Sequence, residues 1–310
     1  MERLSERQRQ IKRASYISVG ANLFLAVLKV VVGLLAGSMA VVADGVDSLS
    51  DVLASLITLF TSQIISKPPN KRHPYGYDKA DTVASKLVAF VIFFAGAQLA
   101  IATIGRLFSD EQSDMPSLFA LGIVIVSIFG KQLLSQYLLH LGRQIDSPML
   151  RANGRNMQND VIISASVLVG LVLTHVFRYP LLDLITALAV SVWIMFVAIR
   201  IIITSSRELM DGIEDQTIYS AIVEAVGKVA GAGNPHRIRA RKMAHYYMIA
   251  LDIEVDGNKS LFESHRIGHE VEAQIRKAIP STYDVVVHVE PVGDLNPDEV
   301  FGVSHRDIDK

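Results

Sequence analysis

Residues 39–66 read MAVVADGVDSLSDVLASLITLFTSQIIS, a run that is long and apolar enough to cross a lipid bilayer but contains three aspartates. A crossing helix needs about 20 mainly apolar residues. Asp47 and Asp51 are four residues apart and so lie on one helix face, and Asp44 joins the same stripe. Carboxylates crowded together at membrane depth require a cation or protons, because they cannot all stay charged and unpaired there.

Five more segments have the same apolar character as this one. They are Ala14–Ala36, Val83–Leu107, Leu118–Leu141, Met157–Phe177 and Leu181–Thr204. Beyond Glu208 no segment qualifies, and charged residues alternate with apolar ones. The sequence therefore predicts an α-helical membrane protein with six transmembrane helices, in preference to a soluble protein with buried helices.

The composition agrees with a membrane protein and excludes several classes of function. The chain is 50% hydrophobic and 20% charged, with a mean hydropathy of +0.35, which is more apolar than a typical soluble domain. It has no cysteine, so disulfides, thiol catalysis and cysteine-based zinc sites are excluded. A net charge of −1 argues against nucleic acid as a partner. No Ser-His-Asp arrangement, HExxH motif or phosphate loop is present, so we do not expect an enzyme.

The distribution of basic residues predicts the orientation in the membrane. Lysine and arginine are concentrated in the N-terminal segment and in the loops after the second and fourth helices. Such loops remain in the cytoplasm. We expect a multi-pass protein of the cell inner membrane or plasma membrane with both termini cytoplasmic.

The region after the sixth helix has the pattern of a small α+β domain. Two amphipathic helical segments, Asp215–Val229 and Ser260–Ala278, are interleaved with strand-like segments in the order α-β-β-α-β. This order predicts a ferredoxin-like fold. The predicted parts are a cytoplasmic N-terminal segment (1–13), a six-helix transmembrane domain (14–207), a cytoplasmic ferredoxin-like domain (208–296) and a C-terminal tail (297–310).

A second pair of oxygen-bearing side chains lies at the start of the fifth helix. Asn156 and Asp160 repeat the four-residue spacing of Asp47 and Asp51. If the two helices meet, the four side chains form a cage of oxygen ligands at one depth. The alternative is that these polar groups only hydrogen-bond between helices, which single Asp or Asn residues often do.

Five motifs together resemble one known family. They are GSMAVVADGVDSLSD (37–51), HPYGYDK (73–79), NMQND (156–160), LMD (209–211) and VHVEP (287–291). The chain resembles the cation diffusion facilitators from about Ile11 to Pro291. These are homodimeric divalent-metal/proton antiporters with six membrane helices and a cytoplasmic ferredoxin-like domain.

The resemblance implies three metal sites of different strength. The transport site would be Asp47, Asp51, Asn156 and Asp160. A cytoplasmic site, often found between protomers in this family, would be formed by Asp252, His265, His288 and Glu290. The alternative is that these four residues are ordinary polar groups on a solvated sheet face. A loop site would depend on His73 alone as a good ligand, since Asn70 and Tyr77 stand at the other positions.

The resemblance also implies that Lys79 and Asp211 form a dimer-stabilising charge contact.

The ligand types indicate which ion is carried. Three carboxylates and one amide offer hard oxygen donors, which suit manganese, and none of the four cage positions holds the histidine that zinc-type members place there. We therefore expect export of Mn²⁺ in exchange for protons, with no cofactor. Fe²⁺, Zn²⁺ and Cd²⁺ remain alternatives as cargo. A non-transporting scaffold of the same fold would lack one or more cage carboxylates, and all three are present here.

Overall fold

The computed structural model describes residues 2–109, 114–243, 246–293 and 301–308. Its elements, in chain order, are α1 (Glu2–Leu35), α2 (Met39–Ile65), α3 (Lys79–Leu107), α4 (Leu118–Gln144), α5 (Pro148–Phe177), α6 (Leu181–Leu209), α7 (Thr217–Gly227), β1 (Gly233–Met243), β2 (Tyr246–Val255), α8 (Leu261–Ala278), β3 (Thr282–Pro291) and α9 (His305–Ile308). They form two compact units, Met1–Pro68 with Val83–Ile203, and Pro69–Thr82 with Thr204–Lys310.

The helices α1 to α6 are each long and apolar enough to span a membrane, which confirms the prediction of six transmembrane helices. Two helices begin well before their predicted apolar segments: α1 begins at Glu2 instead of Ala14, and α5 begins at Pro148, before the polar residues that precede Met157. The Ser147 side chain caps this helix, and proline at a first helical position needs no hydrogen-bond partner for its nitrogen. The polar turn that carries Asn156 is therefore fully helical.

The membrane unit places apolar residues outside and polar residues inside. Large apolar side chains such as Phe24, Phe94 and Phe129 are exposed on the helix surfaces. Several polar side chains are buried inside, among them Lys29, Asp44, Lys131, Asp160, Ser164 and Asp183. A lipid environment explains the exposed residues, and the buried polar ones must find partners within the bundle.

Two glycines allow α1 and α2 to approach closely. A Cβ atom added at Gly33 would lie 2.8 Å from the Val42 backbone nitrogen, and one added at Gly45 would lie 2.9 Å from the Val30 backbone nitrogen. Between the helices the chain turns at Gly37, whose φ of 73° favours glycine. The close approach holds the aspartate-bearing helix against α1.

The start of α2 is fixed by an aspartate from α6. Asp183 accepts a hydrogen bond from the Ser38 hydroxyl (2.6 Å) and another from the Met39 backbone nitrogen (2.8 Å). Ser38 in turn accepts from the Val41 nitrogen (3.2 Å). These bonds satisfy the free amides at the helix start, where a carboxylate is favourable. The register of α2, and so the depth of its aspartates, is set here.

The C-terminal domain has the predicted α-β-β-α-β order, which confirms the ferredoxin-like prediction. Its sheet has the strand order β1-β2-β3, with β1 and β2 antiparallel and β2 and β3 parallel. The parallel pair is joined through α8, as a parallel connection requires. Alternate residues of β2, including Leu251 and Ile253, are buried in a core formed with α7 and α8. The intervening residues therefore point to the opposite sheet face.

The α1–α2 contact generates a stability prediction. Gly33→Ala and Gly45→Ala should each destabilise the protein by about 1–3 kcal/mol, because the added methyl group meets backbone atoms that cannot move independently. Gly20→Ala is the matched control on α1, since a Cβ there meets nothing within 4 Å. Thermal unfolding in detergent, followed by intrinsic fluorescence, measures the difference. Equal stability of all three variants would contradict the close approach.

Candidate metal centres

The four side chains predicted to form the membrane site belong to α2 and α5, which pack against each other. Asp47 and Asp51 are half-buried and Asp160 is buried, whereas Asn156, one turn before Asp160, is exposed. The carboxyl groups of Asp51 and Asp160 are close enough to repel each other. The structure thus brings Asp51 and Asp160 together and leaves the Asn156 side chain outside this contact.

One oxygen atom of Asp51 lacks a partner. Its buried Oδ2 atom meets no hydrogen-bond donor among the residues that the structure describes. A buried acceptor without a donor costs free energy, and a neighbouring carboxylate adds repulsion. A bound cation relieves both effects, and carboxylate oxygens are suitable ligands for hard divalent ions. The chemistry of this group therefore fits a divalent cation as cargo.

Asp44 belongs to a separate, self-contained group. Its Oδ2 atom is 2.7 Å from the Lys29 ammonium, and its Oδ1 atom accepts a hydrogen bond from the Ser164 hydroxyl (2.8 Å). Lys29 also donates to the hydroxyls of Ser48 (3.2 Å) and Ser164 (2.9 Å). The lysine therefore contacts three oxygens, as many as its three N–H bonds can serve. Asp44 is neutralised within the protein.

Asp160 has a basic partner that sequence reasoning did not assign to it. The Lys131 Nζ atom, on α4, lies 3.1 Å from Asp160 Oδ2, and both side chains are buried. A lysine at the centre of an apolar segment was the available signal, because such a charge needs a partner. Which residue becomes the partner of this lysine depends on how α4 and α5 pack.

The loop between α2 and α3 is organised by its own hydrogen bonds. The Asn70 side chain donates to the Tyr77 hydroxyl (2.7 Å) and accepts from the backbone nitrogens of Arg72 and His73. The His73 and Tyr77 rings are 4.4 Å apart. In the described part of the chain, His73 belongs to no group of three metal-ligating side chains. Asn70 and Tyr77 therefore have a turn-stabilising role here.

Lys79 and Asp211, which the family resemblance paired, form an ion pair within the second unit. The Thr82 hydroxyl donates to Glu208 nearby (3.3 Å). Both members of the ion pair are partly exposed, so the contact contributes at most about 1 kcal/mol by itself. The pair holds the start of α3 to the segment that follows α6.

The C-terminal sheet brings together three ionisable side chains on one face. Ligand atoms of His236, Asp252 and Glu290 all lie within 4.8 Å of one another. The His288 ring is next to them, 3.4 Å from Glu290. The strand register explains the grouping, since Asp252 on β2 pairs with His236 on β1 and with His288 on β3. Asp252, His288 and Glu290 were predicted from the sequence, whereas His236 was not.

Arginine side chains partly neutralise this cluster. The Arg237 guanidinium is 2.9 Å from Asp252 and 3.9 Å from Glu290. It also lies over the Phe301 ring, 4.9 Å from the centroid. The next residue, Ile238, pairs through its backbone with Val303. The segment after residue 300 thus folds back along β1 beside the cluster.

His265 is not part of the cluster. It lies on α8, where its Nε2 atom is 3.1 Å from the Nε2 atom of His269. Within the described residues the protomer therefore separates His265 from Asp252, His288 and Glu290. His245, a weaker candidate from the sequence, lies outside the described residues.

Two family models cover most of the chain. Residues 15–210 match the cation efflux transmembrane domain, and residues 215–292 match the cytoplasmic domain of cation efflux proteins. The boundary between the two matches lies just after the end of α6.

Similar proteins agree with these models. The manganese efflux system protein MneS of Bacillus subtilis is 28% identical over 292 residues, which cover 94% of this chain and 99% of the relative. The magnetosome protein MamB of Magnetospira sp. is 30% identical over 282 residues, 90% of this chain and 93% of the relative. A solved metal-bound C-terminal domain of the CzcD transporter from Thermotoga maritima is 32% identical, with a TM-score of 0.26, and covers 26% of this chain and 99% of that domain. The chain belongs to the cation efflux family, the cation diffusion facilitators, and is a membrane transporter of metal ions and not an enzyme.

Proposed function

We propose that this protein exports Mn²⁺ from the cytoplasm in exchange for protons, with Asp47, Asp51, Asn156 and Asp160 as its transport ligands. The observation that carries the proposal is the buried group of carboxylates on α2 and α5, in which Asp51 Oδ2 has no donor among the described residues and Asp160 pairs with Lys131. Asp47 lies one turn from Asp51 on α2. The site would sit in a six-helix transport domain, residues 14–207, of a homodimer.

The donor set favours manganese over zinc. Carboxylate and amide oxygens accept six-fold coordination completed by water, which suits Mn²⁺. Zinc prefers four ligands and commonly uses imidazole nitrogen. The full-length similarity to a protein named for manganese efflux supports the same choice. Fe²⁺, Zn²⁺ and Cd²⁺ are the competing cargoes.

Exchange with protons would follow from the nature of the ligands. An ion bound from the cytoplasm keeps the aspartates ionised, and protons arriving from outside compete with it for the same oxygens. Alternating access requires one group of helices to rock against the other around a fixed site. With both termini in the cytoplasm of an inner-membrane or plasma-membrane protein, the direction is export.

The first test removes single ligands. Asp47→Ala, Asp51→Ala and Asp160→Asn should each abolish Mn²⁺ flux into inverted proteoliposomes while leaving a folded dimer, because each takes a charged donor from a dehydrated divalent ion. Asparagine is used at position 160 because alanine would leave the buried Lys131 unpaired. Asp114→Ala, at an exposed position, is the control. Normal flux in any of the three variants would remove that residue from the site.

The second test concerns Asn156 and ion preference. Asn156→His should raise Zn²⁺ flux relative to Mn²⁺, since it supplies a nitrogen ligand suited to tetrahedral zinc. Asn156→Gln, which keeps an amide oxygen on a longer side chain, is the matched control. The measurement is the Mn²⁺/Zn²⁺ flux ratio of both variants and the wild type in the same vesicle preparation. An unchanged ratio in Asn156→His would exclude Asn156 as the residue that sets the preference.

We also propose that the His236, Asp252, His288 and Glu290 side chains bind a divalent ion in the cytoplasmic domain. The grouping of three ligand atoms within 4.8 Å supports this. The Arg237 contact with Asp252 opposes it, because the guanidinium would have to move when the ion binds. The sequence-predicted His265 would join only through another protomer or through movement of α8.

The third test asks whether a divalent ion binds at this cluster or at His265 and His269 on α8. In full-length protein that also carries Asp51→Ala, so that the membrane site is silent, Zn²⁺ or Ni²⁺ binding by calorimetry should remain. Adding His236→Ala should weaken it about tenfold or more, as loss of one ligand does. Adding His269→Ala instead should change the affinity for Zn²⁺ or Ni²⁺ by no more than about twofold. Equal effects of the two histidine substitutions would reject the cluster as the binding site.

A further inference from the structure

The two buried lysines of the membrane unit are held in different ways. The Lys29 ammonium contacts three oxygens, those of Asp44, Ser48 and Ser164. The Lys131 ammonium contacts one oxygen among the described residues, the Oδ2 atom of Asp160. An ammonium has three N–H donors, so Lys29 is satisfied in place and Lys131 is not.

Lys131 also stands at the point where the transport ligands meet. Its partner Asp160 is near Asp51, whose buried Oδ2 atom has no donor among the described residues. The ammonium therefore occupies a coordination position of Asp160 in this structure. A lysine is a point charge on a flexible four-carbon stem, so it can leave one carboxylate and remain near others.

The charges around the site balance once the lysines are counted. Four carboxylates lie on α2 and α5 in this region, those of Asp44, Asp47, Asp51 and Asp160, and two lysines face them. With the four carboxylates ionised and the two lysines protonated, the net charge of the six groups is −2, which a single divalent ion neutralises. A cluster with all four carboxylates and no lysine would instead sum to −4 and would hold such an ion too firmly to release it.

We propose that Lys131 is a tethered counter-cation of the transport site, bound to Asp160 when the site is empty and displaced from it when a divalent ion binds. This rests on the proposed function of the Asp47, Asp51, Asn156 and Asp160 group. Binding is then an exchange, and an incoming ion must outcompete an ammonium already in place. A singly charged ion such as Na⁺ gains too little from Asp160 to do so, whereas a divalent ion gains enough. Lys131 thereby sets both the affinity and the selectivity for charge.

The test compares Lys131→Met with the wild-type residue at that position in Mn²⁺ binding to purified full-length protein, followed by Mn²⁺ electron paramagnetic resonance. Both proteins carry His236→Ala, so that the cytoplasmic cluster contributes little binding. Methionine keeps the length of the side chain and removes the charge. We expect binding about tenfold tighter or more in choline chloride, because the competitor is gone. Replacing choline by Na⁺ at equal ionic strength should weaken binding several-fold in Lys131→Met and leave the wild type unchanged.

Two matched variants control for position and charge. Lys131→Arg keeps a cation beside Asp160 and should retain the insensitivity to Na⁺. Lys29→Met removes the other buried lysine, whose partner Asp44 is outside the ligand set, and should shift Mn²⁺ affinity less than Lys131→Met does. Equal shifts in the two methionine variants, or unchanged affinity in Lys131→Met, would overturn the proposal.

A measurement on the wild type covers the case in which Lys131→Met does not fold. Brief acetylation with acetic anhydride, quantified by mass spectrometry, should modify Lys131 more in the presence of Mn²⁺, with Lys29 in the same sample as reference. An unchanged Lys131/Lys29 ratio would overturn the exchange. If the wild type binds no Mn²⁺ in any of these assays, the proposed function itself fails, which is a different result from equal binding by wild type and variant.

Discussion

The pairing of buried charge determines how the membrane helices are arranged. A carboxylate inside an apolar bundle costs several kcal/mol unless a cation or hydrogen-bond donors face it. Asp44 and Asp160 each obtain a lysine, and the two lysines come from two other helices, α1 and α4. Removing one partner of such a pair costs about 3–5 kcal/mol, so α1, α2, α4 and α5 are constrained in rotation and depth relative to one another.

This constraint also determines which carboxylates of the cluster are paired with a base. Asp44 is neutralised by Lys29 and accepts a hydrogen bond from Ser164, so its oxygens are not available as ligands for another cation. Asp51 is left with an unsatisfied oxygen beside Asp160. The three aspartates of α2 are close in sequence and similar in type, yet they have different roles because their neighbours on other helices differ. The proposed transport site thus combines Asp51, which has an unpartnered oxygen among the described residues, with Asp160, which is paired with a lysine.

The same reasoning separates what the sequence could predict from what it could not. Helix spans and the shared face of Asp47 and Asp51 follow from local hydropathy and from the helical period, which do not depend on tertiary structure. The partners of Lys29 and Lys131 depend on how four helices rotate and pack, and no local pattern encodes this. His236 was missed for a related reason, because its proximity to Asp252 follows from a strand register that contains bulges.

The two candidate metal centres resemble each other in one respect. In each, a carboxylate that could bind an ion is already in contact with a basic side chain, Asp160 with Lys131 and Asp252 with Arg237. The two bases are held differently, since Arg237 contacts Asp252, lies near Glu290 and stacks on Phe301, whereas Lys131 contacts Asp160 alone among the described residues. The membrane site is therefore the easier one to vacate and refill. The proposed transport site requires that property because cargo must pass through it, whereas the proposed metal site of the C-terminal domain does not.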